Sequence, residues 1–284
     1  MKRLLFLSLA ALAIACANAA PATAPVKVAI LKLIPRVGAK AENFSKLDRH
    51  AREAAAAGAR ILVTSECYLD GYPGNIKLNP GLTLEQMRTM SEPIDGPYVR
   101  RACALAKELG VILVFGFSEW RAGNVYNTAA LIAADGRIQG TYSKTHTRGE
   151  IYAPGSEFPV FDTPHGRVGL LICYDRQVPE NSRLLAVRGA EMILIPAHSP
   201  SVQLVNEDLM MQVRAYENNA FVVLANPFNA LAADPDGRLV ARNADRDAEG
   251  IVYATYDPRV RAERSRTPMN ERRPEFYGDL ATPR

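Results

Sequence analysis

Cysteine, histidine and tryptophan are scarce in this chain, at four, four and one among 284 residues. Neither the cysteines nor the histidines fall at a metal-ligand spacing, so a metal centre is rejected and no cofactor is expected. An excess of one charge is also missing. The 34 Lys and Arg against 30 Asp and Glu give a formal net charge of +4. Residues 1–19 hold two of the basic residues, Lys2 and Arg3, so 32 against 30 remain beyond them, near +2. That balance argues against a polyanion-binding surface, and nucleic acid is not an expected partner. Beyond residue 19 no apolar run is long enough to span a bilayer, no period recurs and no linker breaks the chain. One large α/β domain over residues 20–284 is the simplest reading.

The first 19 residues stand apart. Lys2 and Arg3 precede an apolar stretch over residues 4–15, and Ala17-Asn18-Ala19 offers a small-x-small cleavage site. This pattern reads as a signal peptide, which predicts export to the periplasm or the medium. Residues 12–16 also imperfectly match a lipoprotein box, with Ala13 as the poor fit, so anchoring through an acylated Cys16 is the alternative.

Strand and helix signals alternate along the remainder. Strands are predicted over residues 26–34, 111–120, 192–196, 221–225 and 250–256, and helices over 41–57, 97–109, 179–188 and 205–218. Hairpins are predicted to turn at Asp135-Gly136 and His165-Gly166, with a further turn at 235–237. Mixed hairpins and crossovers favour two sheets with helices outside over a single doubly wound sheet.

Three of the apolar segments end in reactive groups. Residues 61–66 deliver the Glu66 carboxylate, residues 137–144 the Lys144 ammonium, and residues 169–173 the Cys173 thiol just before a Pro-started helix. The carboxyl ends of strands are where α/β enzymes place their chemistry, so the three can meet at one rim. Cysteine counting agrees. Without Cys16, the odd set Cys67, Cys103 and Cys173 leaves at least one free thiol even in an oxidising compartment. Cys103 reads as a small core residue and Cys67 as a packing residue near the site; a Cys67–Cys103 disulfide is open but unsupported.

A thiol with a pKa of about 8.5 is mostly protonated at neutral pH, so attack on an amide-like carbon needs a base. Glu66 can take the proton and later activate water. Lys144 can favour the thiolate and then the tetrahedral oxyanion, with the Tyr174 N–H as a second donor.

Over nearly all of residues 20–284 the chain resembles the nitrilase superfamily of carbon-nitrogen hydrolases. The matching segments are residues 62–66 with Gly71 and Tyr72, 142–146, Glu150 with 152–155, and 169–180. Gly189-Ala190, residues 214–218 and residues 272–278 also match. The resemblance implies a four-layer αββα sandwich of two mixed sheets and a Glu66, Lys144, Cys173 site, with Glu150 positioning the lysine and substrate. It further implies a thiol hydrolase of linear amides or N-carbamoyl compounds that works through a Cys173 thioester, exported if the signal-peptide reading holds. The partner is then a small amide or carbamoyl molecule, in a homodimer or higher homo-oligomer.

Arg176, three residues past the nucleophile, is similar to the arginine that holds the substrate carboxylate in N-carbamoyl-amino-acid hydrolases. A guanidinium fork suits that task, although Arg176 could instead pair with Asp175 or Glu180. His146 and His198 are further substrate-side candidates, and His146 would be the base if the hydrolase were of Cys-His type. Two departures from the family stand out: Gln177 replaces a common arginine, and the loop after Asn226 is shortened. Two other functions stay open, a nitrile hydrolase, disfavoured by Tyr174-Asp175, and a non-catalytic binding protein on the same fold.

Overall fold

The computed structural model describes residues 24–147, 149–200 and 204–282. The signal-peptide segment and Cys16 lie outside the described residues. In chain order the first half comprises β1 (Val26–Lys32), α1 (Lys40–Ala56), β2 (Ile61–Val63), α2 (Leu84–Met90), α3 (Pro97–Leu109), β3 (Ile112–Arg121), β4 (Asn124–Ile132) and β5 (Ile138–Ser143). The second comprises β6 (Val160–Thr163), β7 (Gly166–Leu170), α4 (Pro179–Val187), β8 (Met192–Pro196), α5 (Leu204–Asn218), β9 (Phe221–Ala225), β10 (Ala230–Ala233), β11 (Leu239–Asn243), β12 (Gly250–Tyr256) and α6 (Pro258–Ala262). Two six-stranded sheets result, ordered β12-β1-β2-β3-β4-β5 and β11-β10-β9-β8-β7-β6. Each has three parallel strands, β1-β2-β3 and β7-β8-β9, flanked by antiparallel neighbours.

Strand alternation explains the layering. In the first sheet Val28, Ile30, Ile61, Val63, Ile112, Val114, Ala129 and Leu131 face the second sheet and join one core with Leu170, Ile193, Val222 and Leu224. The intervening Ala29, Leu31, Leu62, Leu113, Phe115 and Ile132 face outward and pack under Phe44, Leu47 and Ala51 of α1 and Val99, Ala102 and Ala106 of α3. Parallel strands covered on both faces need apolar residues at nearly every position, which is what these segments supply. On the far side α5 contributes Met211 and Ala215 to the core that includes the second sheet. The architecture is the expected αββα sandwich. Among the described residues no helix is long and apolar enough to cross a membrane.

Four elements escaped the sequence reading: α2, α6 and the two strands β10 and β11. β10 and β11 form a hairpin where only a turn was expected, and its first strand is Ala-Leu-Ala-Ala, with little intrinsic strand preference. The helix α2 lies between β2 and α3, where no helix was expected; a capping box starts it, with Thr83 and Gln86 bonding each other's backbone N–H groups.

Two glycines let the loops that carry site residues lie against the strands. A Cβ on Gly116 of β3 would sit 2.3 Å from the Ser65 carbonyl oxygen, and one on Gly155 would sit 2.2 Å from that of Ser143. Both contacts are with backbone, which cannot swing away, so only glycine allows this approach.

Ile30 is fully buried between the sheets. Ile30→Ala removes its contacts and leaves a cavity, and should lower unfolding free energy by about 2–5 kcal/mol. Urea unfolding followed by circular dichroism measures this; an unchanged midpoint would mean that the inter-sheet core is not packed as described.

Candidate active site

The two sheets direct the ends of β2, β5, β7 and β8 toward one cavity of about 720 Å³, whose wall includes Tyr72, Lys144, Glu150, Cys173, Tyr174 and His198. Lys144 follows β5 directly. Its N–H donates to the Asn127 carbonyl at 2.8 Å, and its carbonyl accepts from the Gly155 N–H at 2.8 Å, so the backbone is clamped on both sides. The side chain is 1 % exposed, and Nζ donates to Glu66 Oε1 at 2.8 Å and to Glu150 Oε1 at 2.5 Å.

Glu66 is fully buried beneath the cavity, three residues beyond β2. Besides Lys144 its carboxylate accepts from Asn127 Nδ2 at 2.7 Å and from the His198 N–H at 2.9 Å. Hydrogen bonds from both sheets therefore orient it. Glu150 Oε1 also accepts from the Tyr72 hydroxyl at 2.6 Å, while Glu150 Oε2 is buried without a partner.

Cys173 closes the loop after β7 and begins a 3₁₀ turn over Cys173–Gln177. Its φ of 47° is in the left-handed region, a conformation costing about 1–3 kcal/mol for a residue with a side chain. The turn is held by Asp175, which accepts from the Ile172 N–H, the His146 N–H and the Tyr142 hydroxyl at 3.2, 2.9 and 2.7 Å. Tyr174 comes ahead of the Asp175 N–H to Ile172 carbonyl bond, where helix N–H groups have no intrahelical acceptor. Its N–H is thus suited to an oxyanion.

Burial, with the Glu66 carboxylate next, pushes the Cys173 thiol up, and Lys144 and Arg176 only partly pull it back. Burial pushes the Lys144 ammonium down, but the surrounding negative groups, Glu66 first, hold it well above its ordinary value. A resting thiol beside a charged ammonium is the state that calls for a separate base. Burial and the Glu66 charge raise the Glu150 carboxyl to about 6, against the pull of Lys144.

Glu66, Lys144, Cys173, Glu150 and Tyr174 are brought together. Arg176 and His146 are placed differently. Arg176 is 1 % exposed and is not on the cavity wall. Its guanidinium donates to Glu207 Oε1 at 2.6 Å, to neither Asp175 nor Glu180, and toward Cys173 Sγ at 3.5 Å. His146 also stands off the wall, its Nδ1 2.8 Å from Asp175 Oδ1, and that contact pushes its pKa up. It helps to hold the turn. His198 does line the cavity, its ring 5.3 Å from those of both Tyr72 and Phe228. Phe228 belongs to the shortened loop, whose Asn226 side chain accepts from the Ser199 N–H at 3.3 Å.

Of the three described cysteines none is in a disulfide; Cys67 is buried against Tyr152 and Cys103 is half-buried. Sequence reasoning gave no role to Tyr72, Asn127 or Glu207. An asparagine within the Thr-Ala-Ala-Leu strand was the one visible signal.

A model of the carbon-nitrogen hydrolase family matches residues 27–265. The chain belongs to that family, on the amidase side of the nitrilase superfamily. This carbon-nitrogen hydrolase is 31% identical to the citrullinase of Francisella tularensis, over 90% of this chain and 98% of the relative. It is 29% identical to omega-amidase NIT2 of Homo sapiens, over 84% and 92%. Among solved structures, Nit3 of Saccharomyces cerevisiae superposes with a TM-score of 0.74 at 25% identity, covering 84% of this chain and 92% of that one.

A raised carboxyl binds its proton more tightly folded than unfolded. Its contribution to stability is therefore full below the unfolded pKa and is lost as pH rises through the folded one. For Glu150 that window runs from its ordinary value of 4.5 to about 6. The stability of the wild type minus that of Glu150→Gln should fall across this window and level off above it. Urea melts at closely spaced pH values test this, and a difference independent of pH would remove the shift.

Proposed function

We propose that this hydrolase cleaves the C–N bond of linear amides or N-carbamoyl compounds with Cys173 as nucleophile, Glu66 as base and Lys144 as oxyanion donor. The observation that carries the reading is the buried Lys144 ammonium, bonded to Glu66 and Glu150 and opening on the cavity that exposes Cys173. Glu66 takes the thiol proton as sulfur attacks the carbonyl carbon. Lys144 and the Tyr174 N–H receive the oxygen as it becomes an anion. The C–N bond then breaks, Glu66 returns the proton to the departing ammonia or amine, and a thioester remains. Glu66 next deprotonates a water, which attacks the thioester; the carboxylic or carbamic acid leaves and the thiol is restored.

Glu150 accepts from Lys144 and Tyr72 together, which suits it to fixing the ammonium and reaching the substrate nitrogen. The names of two relatives, an omega-amidase and a citrullinase, support the two substrate classes.

Ammonia release should be assayed on matched amides, carbamoyl amino acids and nitriles. Cys173→Ala should abolish turnover; Glu66→Gln should lower kcat about 10²–10⁴-fold and Lys144→Met about 10²–10³-fold or more, with unchanged circular dichroism for folded variants. Release that persists in Cys173→Ala sinks the proposal. Nitriles turned over faster than their amides would make the protein a nitrilase.

A further inference from the structure

Buried next to Cys173 lies a second charge pair that the hydrolytic steps leave unused. Arg176 folds back along the 3₁₀ turn so that Nη1 donates toward Cys173 Sγ at 3.5 Å. Its Nη2 donates to Glu207 Oε1 of α5 at 2.6 Å, and both side chains are 1 % exposed. Ser199 Oγ ties the group together, 3.1 Å from Sγ and accepting from Arg176 Nη2 at 3.4 Å. On the outer side Glu207 Oε2 accepts from Asn229 Nδ2 at 2.9 Å.

The geometry divides the guanidinium. One end is neutralised by Glu207, the other meets sulfur, and Nε is buried with no partner among the described residues. A structural ion pair would be satisfied by a bidentate fork on the carboxylate. Here half of the fork is withheld from Glu207 and given to the reacting atom.

We propose that the Arg176–Glu207 pair sets the ionisation of Cys173, with Arg176 acting as a catalytic residue that supports the thiolate while Glu207 limits how strongly it does so. Sulfur then lies between two cations: Lys144 from the end of β5 on the cavity side, and Arg176 on the turn. Glu66 beyond β2 opposes them, with Glu150 and Tyr72 at the cavity side, His198 and Ser199 beyond β8, and Glu207 on α5 completing the surroundings. Such a division keeps the thiol protonated at rest yet lowers the cost of the anion at the moment Glu66 takes the proton. The inference rests on Cys173 being the nucleophile.

The test is the pH dependence of iodoacetamide alkylation at Cys173, read by peptide mass spectrometry, which reports thiolate whether or not turnover occurs. Arg176→Gln should move the inflection upward, and Glu207→Gln should move it downward, each by roughly one pH unit or more. Arg176→Lys, which keeps the charge, should stay close to the wild type and is the informative variant if Arg176→Gln does not fold. Opposite shifts support the proposal. Inflections that coincide with the wild type in the folded variants overturn it, as does a shift of the same sign in Arg176→Gln and Glu207→Gln. A further overturning result is a selective loss of kcat/KM for carboxylate-bearing over neutral amides in Arg176→Gln with the inflection unmoved, since substrate anchoring would then be its role. Loss of turnover in Cys173→Ala decides the nucleophile separately.

Discussion

The ammonium of Lys144 is the constraint on which the rest of the site depends. Removing such a charge from water costs several kcal/mol, and only well-placed opposite charges and hydrogen bonds offset it. Glu66 and Glu150 supply both, at 2.8 and 2.5 Å, and the backbone of Lys144 is clamped so that Nζ has little freedom to leave. The arrangement is more than neutralising. Two carboxylates around one ammonium leave an excess negative charge, which opposes a thiolate at rest. Stability and chemistry thus rest on the same three groups.

Rigidity around the thiol has a matching origin. Cys173 holds a left-handed conformation, and the bonds that Asp175 accepts from Ile172, His146 and Tyr142 fasten the turn that imposes it. Strain of this kind persists only where surrounding structure over-determines it. His198 links the halves: its N–H fixes Glu66, and its ring sits between Tyr72 and the Phe228 of the shortened loop. The loop after Asn226 thus places an aromatic ring against His198.

Much of this was legible in the residues. Strands such as β8 and β9 are uninterrupted apolar runs bounded by helices, and their limits match the pattern of side chains. The three reactive residues could be found because each ends an apolar segment. β10 could not, since alanines carry no strand signal and its position is imposed by pairing with β9. Arg176 shows a different limit. Its distance from Cys173 along the chain is plain, but the side to which a 3₁₀ turn directs it depends on Glu207, 31 residues away and on another helix. Contacts of that kind are set by tertiary packing, which spacing does not encode.

The sheet order has a consequence for how the molecule comes to exist. β12 returns from the far end of the chain to lie beside β1, with Val26 opposite Tyr256, so the earliest strand waits for the last one. Such distant pairing makes for slow folding, because the chain must give up loop entropy before the contact rewards it. During synthesis the acidic and basic members of the site emerge well before the sulfur. A nascent segment that ends before Cys173 therefore lacks the nucleophile proposed for the site.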